Sequence, residues 1–331
     1  MSNLLNDIDA RTKLAGTNKL EILLFYLGTD PRTKRKEVYG INVFKVREVM
    51  RTPEITAAPD MPDCVEGMVS LRGALVPVVD LAKYVGIQSE DSHNIMIVTE
   101  YNGHTQGFLV EKVDTILRLD WSQMRLPPEM LTVKMGGLVT AVTELPNHEL
   151  VMMLDVEKVL ADTAHYDEEY LFSNIEPVKE EKRIVFFADD SSVARKQIES
   201  TLKVLGIPYR GSVNGRIAWE ELQKIATMAE ASGKKVKDIV GIVLTDVEMP
   251  ELDGYMLTRQ IKSDPRFMGV RVLMHSSLSS MSNRKLGESV GVDAYVPKFE
   301  PQRLAQTLKE MLGISQNGEV AQLEHKEDDE A

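Results

Sequence analysis

An apolar, β-branched run that stops at a carboxylate constrains this chain more than any other stretch. Residues 239–254 read IVGIVLTDVEMPELDG, with Asp246 closing the run and Pro250, Asp253 and Gly254 in the turn beyond it. A run of this length followed by turn chemistry reads as a buried strand of a parallel sheet. Asp246 then sits at the strand's carboxyl end, where open α/β sheets bind their ligands. Taken alone, such an aspartate reads more readily as the cap of the next helix.

Its neighbours change that reading. Residues 183–188, RIVFFA, form a second buried-strand candidate, and Asp189 and Asp190 follow at once. A helical pattern then places Ala194, Ile198, Leu202 and Leu205 on one face. If the two strands are adjacent, three carboxylates converge. Like charges so close raise one another's pKa unless a cation neutralises them. Mg²⁺ suits the task as a hard ion that takes oxygen ligands and keeps waters for a phosphate. Two more strands end in useful groups: VRVLM at 270–274 leads into His275, Ser276 and Ser277, and DAYVP at 293–297 leads into Lys298. His275 is read as a strand-end packing residue.

In this order, acid pair, lone aspartate, hydroxyl and lysine, with the Met249-Pro250-x-x-Asp253-Gly254 turn, the stretch from Arg183 to Leu312 resembles the receiver domain of response regulators. The resemblance implies a flavodoxin-like α/β fold with parallel strand order 2-1-3-4-5. It implies Asp246 as phosphoacceptor and Mg²⁺ held by Asp190, by Asp189 largely through water, by Asp246 and by the Glu248 backbone carbonyl. It also implies Ser276 and Lys298 on phosphoryl oxygens, and Tyr295 as an aromatic switch or a plain strand aromatic. The family's lysine precedes a proline; here Pro297 precedes Lys298 and Phe299 follows, so the family's cis Lys-Pro bond cannot form. Ser276 and Ser277 both offer a hydroxyl, and register favours Ser276.

The first half is organised differently. LEILLFYL at 20–27 is a strand, and VYGINVFKVREVM at 38–50 reads as a strand passing into a short helix. A proline-punctuated stretch follows, then two short strands meeting at Leu71-Arg72-Gly73. NIMIVTE at 94–100 and GFLVEKVDTILRL at 107–119 repeat the plan: Val46 matches Val113, Val49 matches Ile116 and Arg51 matches Arg118. Each pass ends alike, Val79-Asp80-Leu81 with Lys83 and Leu154-Asp155-Val156 with Lys158. An internal duplication of short strands implies two small β-barrels packed together.

YGINVFKVREV, SLRGALVPVVDL and LDVEKVL make residues 19–161 resemble the CheW-like coupling domain of bacterial chemotaxis, and the whole chain resembles the CheV type, in which that domain is fused to a receiver. The resemblance implies partners, a chemotaxis histidine kinase and the cytoplasmic tip of chemoreceptors, with contacts through Val46, Glu48 and Arg72. Val46 reads equally as core, whereas a charged residue at an exposed turn, as with Arg72, has less structural excuse. The expected organisation is an arm at 1–18, an all-β double five-stranded barrel at 19–165, a charged linker at 166–182, the receiver at 183–313 and an acidic disordered tail at 314–331.

A formal net charge of −12 argues against nucleic acid, which needs a basic face, and against an anionic membrane surface. No apolar run approaches the length of a transmembrane helix, and the start lacks the apolar core of a signal peptide. A single cysteine fits a reducing compartment. A cytoplasmic adaptor at receptor arrays, tuned by phosphorylation from the kinase phosphohistidine and not an enzyme in its own right, is the expected function. A phosphate sink draining the kinase is the alternative. A Mg²⁺-dependent aspartyl phosphatase is more remote: Glu248 has the spacing of its acid/base, but no cap insertion is visible.

Overall fold

The computed structural model describes residues 19–30, 34–87, 94–101, 104–163, 172–179, 181–277 and 287–314. The arm at 1–18, most of the tail and part of the linker lie outside these residues.

The duplication is visible in the topology. The first pass supplies β1 (Lys19–Tyr26), β2 (Val38–Asn42), β3 (Val46–Arg51), β4 (Val65–Leu71) and β5 (Ala74–Asp80). The second supplies β6 (Ile95–Tyr101), β7 (His104–Val110), β8 (Lys112–Asp120), β9 (Val139–Glu144) and β10 (Leu150–Leu154). One mixed sheet has the order β8-β1-β2-β10-β9 and the other β3-β6-β7-β5-β4. Replacing each strand by its counterpart in the other pass converts the first order into the second, and the two passes exchange their last three strands, so that β1 and β2 share a sheet with β8, β9 and β10. The predicted short helix after β2 is one 3-10 turn, Val43–Lys45, where the chain crosses between sheets.

Both sheets curl shut. Thr56, just past the edge strand β3, pairs with Met68 of the opposite edge β4, and Arg125, past β8, pairs likewise with Val142 of β9. Gly67 permits the first closure, because its φ of 137° lies outside the range of other residues and a Cβ there would stand 2.1 Å from the Thr56 carbonyl oxygen.

Period-two alternation explains why β1 is apolar almost throughout. Leu20, Ile22 and Leu24 fill the interior of the first barrel with Val151 and Met153. Leu23, Phe25 and Leu27 face the seam between barrels, against Ile97, Phe108 and Val110 of the second. Met96 and Val98 of β6 fill the second barrel's interior. After β5, Asp80 caps α1 (Leu81–Val85), and after β10, Asp155 accepts from the Glu157 and Lys158 amides to open α3 (Val156–Thr163); α2 (Glu129–Lys134) lies between β8 and β9.

The C-terminal domain is a parallel sheet of β11 (Ile184–Ala188), β12 (Tyr209–Ser212), β13 (Val240–Thr245), β14 (Arg271–Ser276) and β15 (Ala294–Pro297) in the order β12-β11-β13-β14-β15, the predicted 2-1-3-4-5. Val185, Phe187, Ile242 and Leu244 face α4 (Ser192–Leu205) and α7 (Pro301–Leu312). Phe186, Ala188 and Val243 face α5 (Gly215–Ala231) and α6 (Gly254–Ser263). Within the predicted linker, Ile175 is buried in the first of these layers, and the Val178 amide donates to the Leu205 carbonyl at 2.7 Å.

Candidate functional site

Parallel strands end together, so the groups just past their carboxyl ends share one crevice. Asp189 follows β11, Asp246 follows β13, Ser276 ends β14 and Lys298 follows β15. Carboxylate oxygens of Asp189, Asp190 and Asp246 all lie within 4.8 Å of one another. The Lys298 ammonium donates to Asp246 Oδ2 at 2.9 Å and stands 3.1 Å from Asp189 Oδ2. Its placement does not depend on the family's cis bond: the described residues contain no cis peptide, and Phe299, at φ 62°, turns the chain after it. Asp246 Oδ1 accepts from the Val247 amide at 2.6 Å, which fixes the carboxylate's plane.

Burial pushes the Asp189, Asp190 and Asp246 carboxyls up to about 7 each; Lys298 pulls each of them back, while neighbouring carboxylates reinforce the rise. Glu248 is likewise pushed to about 7 by burial, and its Oε1 is buried without a hydrogen bond. Lys298 is held protonated by Asp189, Asp246 and Glu157 despite its own burial. The pocket therefore holds more carboxylates than cations. Clustered, desolvated oxygens of this kind fit a hard divalent ion such as Mg²⁺.

The two hydroxyls left open by the sequence separate. Ser276 lies beside the Tyr295 hydroxyl, whose ring packs with Tyr255 and Met274; burial pushes that hydroxyl up to about 12. Ser277 lies instead beside a residue of the other domain, Glu157, and favours its charged form. His275 is buried, and burial depresses its imidazole to about 3, in keeping with a packing role.

Glu157 is the member that sequence reasoning missed. It rises from α3 of the N-terminal domain into the crevice, where Oε2 lies 3.3 Å from Lys298 Nζ and Oε1 accepts from Lys45 Nζ at 3.0 Å. Burial disfavours its charge, yet Lys298 and Lys45 outweigh that penalty and hold its carboxyl at about 2. A further contact seats the domains: the Glu251 amide donates to the Trp121 carbonyl at 3.0 Å. One signal existed, because the repeat counterpart of Glu157 is Ala82, a small apolar residue, and a carboxylate there has no fold-level reason.

The expected coupling residues lie elsewhere, on the second barrel. Arg72 takes φ 51° at the tip of the β4–β5 turn, and its guanidinium donates to Glu48 Oε2 of β3 at 2.9 Å, an exposed ion pair bridging the barrel's closure. Val46 is half-buried against the seam between barrels.

Comparison with known proteins agrees with this architecture. The CheW-like domain family matches residues 22–164, and the response regulator receiver domain family matches residues 185–309. Chemotaxis protein CheV2 of Helicobacter pylori is 28% identical over 326 residues, 93% of this chain and 100% of that protein. The chain belongs to the CheV-type chemotaxis coupling proteins. Each half also has single-domain relatives: chemotaxis protein CheW of Klebsiella aerogenes, 31% identical across 45% of this chain and 87% of its own length, and chemotaxis protein CheY1 of Helicobacter pylori, 32% identical across 38% of this chain and 94% of its own. In CheV-type terms, the barrels are the coupling domain and the parallel sheet is the receiver. Among the described residues no helix is long and apolar enough to cross a membrane.

Proposed function

We propose that this chain joins a chemotaxis histidine kinase to the cytoplasmic tip of chemoreceptors, and that phosphorylation of Asp246 tunes the junction. The supporting observation is that a coupling domain and a receiver pocket, with its lysine 2.9 Å from the acceptor carboxylate, are packed together in one chain. Asp246 is the nucleophile: one carboxylate oxygen attacks the phosphorus of a phosphohistidine, the P–O bond forms as the P–N bond breaks, and the imidazole leaves with the electron pair and takes up a proton. Mg²⁺, held by Asp190, Asp246, the Glu248 carbonyl and, through water, Asp189, would neutralise the phosphoryl oxygens. Lys298 exchanges its bond to Asp246 for one to the new phosphoryl group, and the Ser276 hydroxyl donates to another oxygen. Tyr295 then follows Ser276. This chemistry is confined to the protein's own aspartate, which makes the chain an adaptor.

The test is kinase activity in receptor arrays reconstituted with this protein as sole coupler, wild type against Asp246→Ala, with radiolabelled phosphoryl transfer followed in parallel. The variant should take up no label yet still bind kinase and receptor. Label uptake without any effect on the kinase would instead favour a phosphate sink. Arg72→Ala probes the other domain. An exposed ion pair contributes under about 1 kcal/mol, so melting should barely move while receptor binding weakens. Unchanged receptor binding would remove Arg72 from the contact surface.

A further inference from the structure

The receiver pocket is closed by its own coupling domain. Asp246 is 4% exposed, Lys298 1%, and Asp189 and Glu157 0%. Among the described residues, Asp246 therefore offers almost no surface to a phosphohistidine on another protein. The stopper is a carboxylate with two ammonium donors, Lys298 at 3.3 Å and Lys45 at 3.0 Å, and Ser277 lies beside it. An anionic oxygen cluster met by an ammonium and a hydroxyl at receiver strand ends is the chemistry that a phosphoryl group on Asp246 would itself require.

We propose that Glu157 is the resting ligand of the receiver's phosphoryl pocket, so that docking of the coupling domain and phosphorylation of Asp246 exclude one another. The inference rests on Asp246 being the phosphoacceptor. Three observations carry it. Lys298 serves both carboxylates, and a phosphoryl group on Asp246 would draw the same ammonium away from Glu157. A phosphoryl group would also bring close to two negative charges beside a buried carboxylate, where low polarisability makes like-charge repulsion severe. Finally, the equivalent helix position in the first repeat is Ala82, buried at 1%, so the barrel fold itself asks for a small apolar residue at this place. The glutamate serves the docked receiver.

Exclusion has a reciprocal consequence. Docking scales the rate of phosphorylation down to the fraction of time the pocket is open, and phosphorylation releases the α3 face of the coupling domain. Conversely, whatever holds α3 away from the receiver, including a kinase or receptor seated on the coupling domain, would open Asp246 to the phosphodonor.

The experiment uses the full chain with Mg²⁺ and acetyl phosphate as donor, and reads label on Asp246 together with amide hydrogen exchange across Val156–Thr163. Glu157→Ala, which restores the residue of the first repeat, and Glu157→Gln should both speed labelling, by roughly 10-fold or more if the resting pocket is open a tenth of the time or less. In wild type, beryllofluoride with Mg²⁺ should accelerate exchange of the α3 amides by a similar factor, and Asp246→Ala should show no such response. This second readout needs no variant at Glu157 and survives any folding defect there. Labelling of both Glu157 variants at the wild-type rate, with α3 exchange indifferent to beryllofluoride, would overturn the exclusion while leaving Asp246 as acceptor. Absence of label in wild type and variants alike would remove the acceptor reading and the exclusion with it.

Discussion

Lys298→Met is expected to destabilise the receiver by about 3–5 kcal/mol, the cost of breaking a buried ion pair from one side. Methionine keeps the length of the side chain but leaves Asp189, Asp246 and Glu157 without the ammonium that all three share. Lys45 remains on Glu157 alone. The loss should depend on pH, and the sign follows from the carboxyls. Asp189 and Asp246 already stand near 7, above their unfolded values, so the native state binds protons that the unfolded chain gives up. Their contribution is fully present below about pH 4 and is lost as pH rises through the folded value. Without Lys298 the folded values rise further and that window extends upward. Urea unfolding without divalent ions should therefore find the variant closer to wild type at pH 5.5 than at pH 8, and added Mg²⁺ should recover part of the difference at pH 8. A variant equally stable at both pH values would show that Lys298 does not neutralise these carboxylates.

Gly254→Ala should damage the site more than a single methyl group suggests. A Cβ at Gly254 would lie 1.9 Å from the carbonyl oxygen of Asp246 and 2.9 Å from its carbonyl carbon. The clash is with backbone, so no side chain can move aside. The turn is tied at both ends: the Gly254 amide donates to the Val247 carbonyl at 2.9 Å, and Asp253 caps α6 by accepting from the Met256 amide at 2.7 Å. Overpacking of this kind costs about 1–3 kcal/mol. The functional loss should be larger, because displacing a reacting carboxylate by about 1 Å can reduce a rate by about 10²-fold. Labelling of Asp246 by acetyl phosphate, set beside the midpoint of urea unfolding, separates the two effects. Near-normal labelling in Gly254→Ala would mean that the Asp246 loop tolerates a shift.

The same glycine shows how the sequence came to be readable. Asp246, Pro250, Asp253 and Gly254 form one local unit, a strand end folding back on itself, and a local unit is encoded by neighbouring residues. Asp189 and Lys298 were legible for a related reason. Buried parallel strands have apolar runs on both faces, and their carboxyl ends must gather at one edge of the sheet. The duplicated barrels were legible because the same pattern appears twice, whereas the exchange of the last three strands between the passes emerges only in the sheets. The short strand Tyr209–Ser212 gave only a weak signal, since it is an edge strand whose Arg210 and Gly211 are exposed.

What tertiary structure alone decided is how the halves meet. Glu157 reaches Lys45 across 112 residues within the coupling domain and Lys298 of the receiver across 141, and no local pattern encodes such contacts. Register favoured Ser276 over Ser277, but what each hydroxyl faces, Tyr295 for one and Glu157 for the other, is set by what packs against the loop. By itself the sequence determined two folds and the placement of Asp189, Asp190, Asp246 and Lys298 at strand ends, since periodicity and strand-end placement are local properties. That the coupling domain inserts a carboxylate into that pocket was decided by packing between surfaces distant in the chain, where the buried Lys298 and half-buried Lys45 ammonium groups make the insertion of a charge favourable.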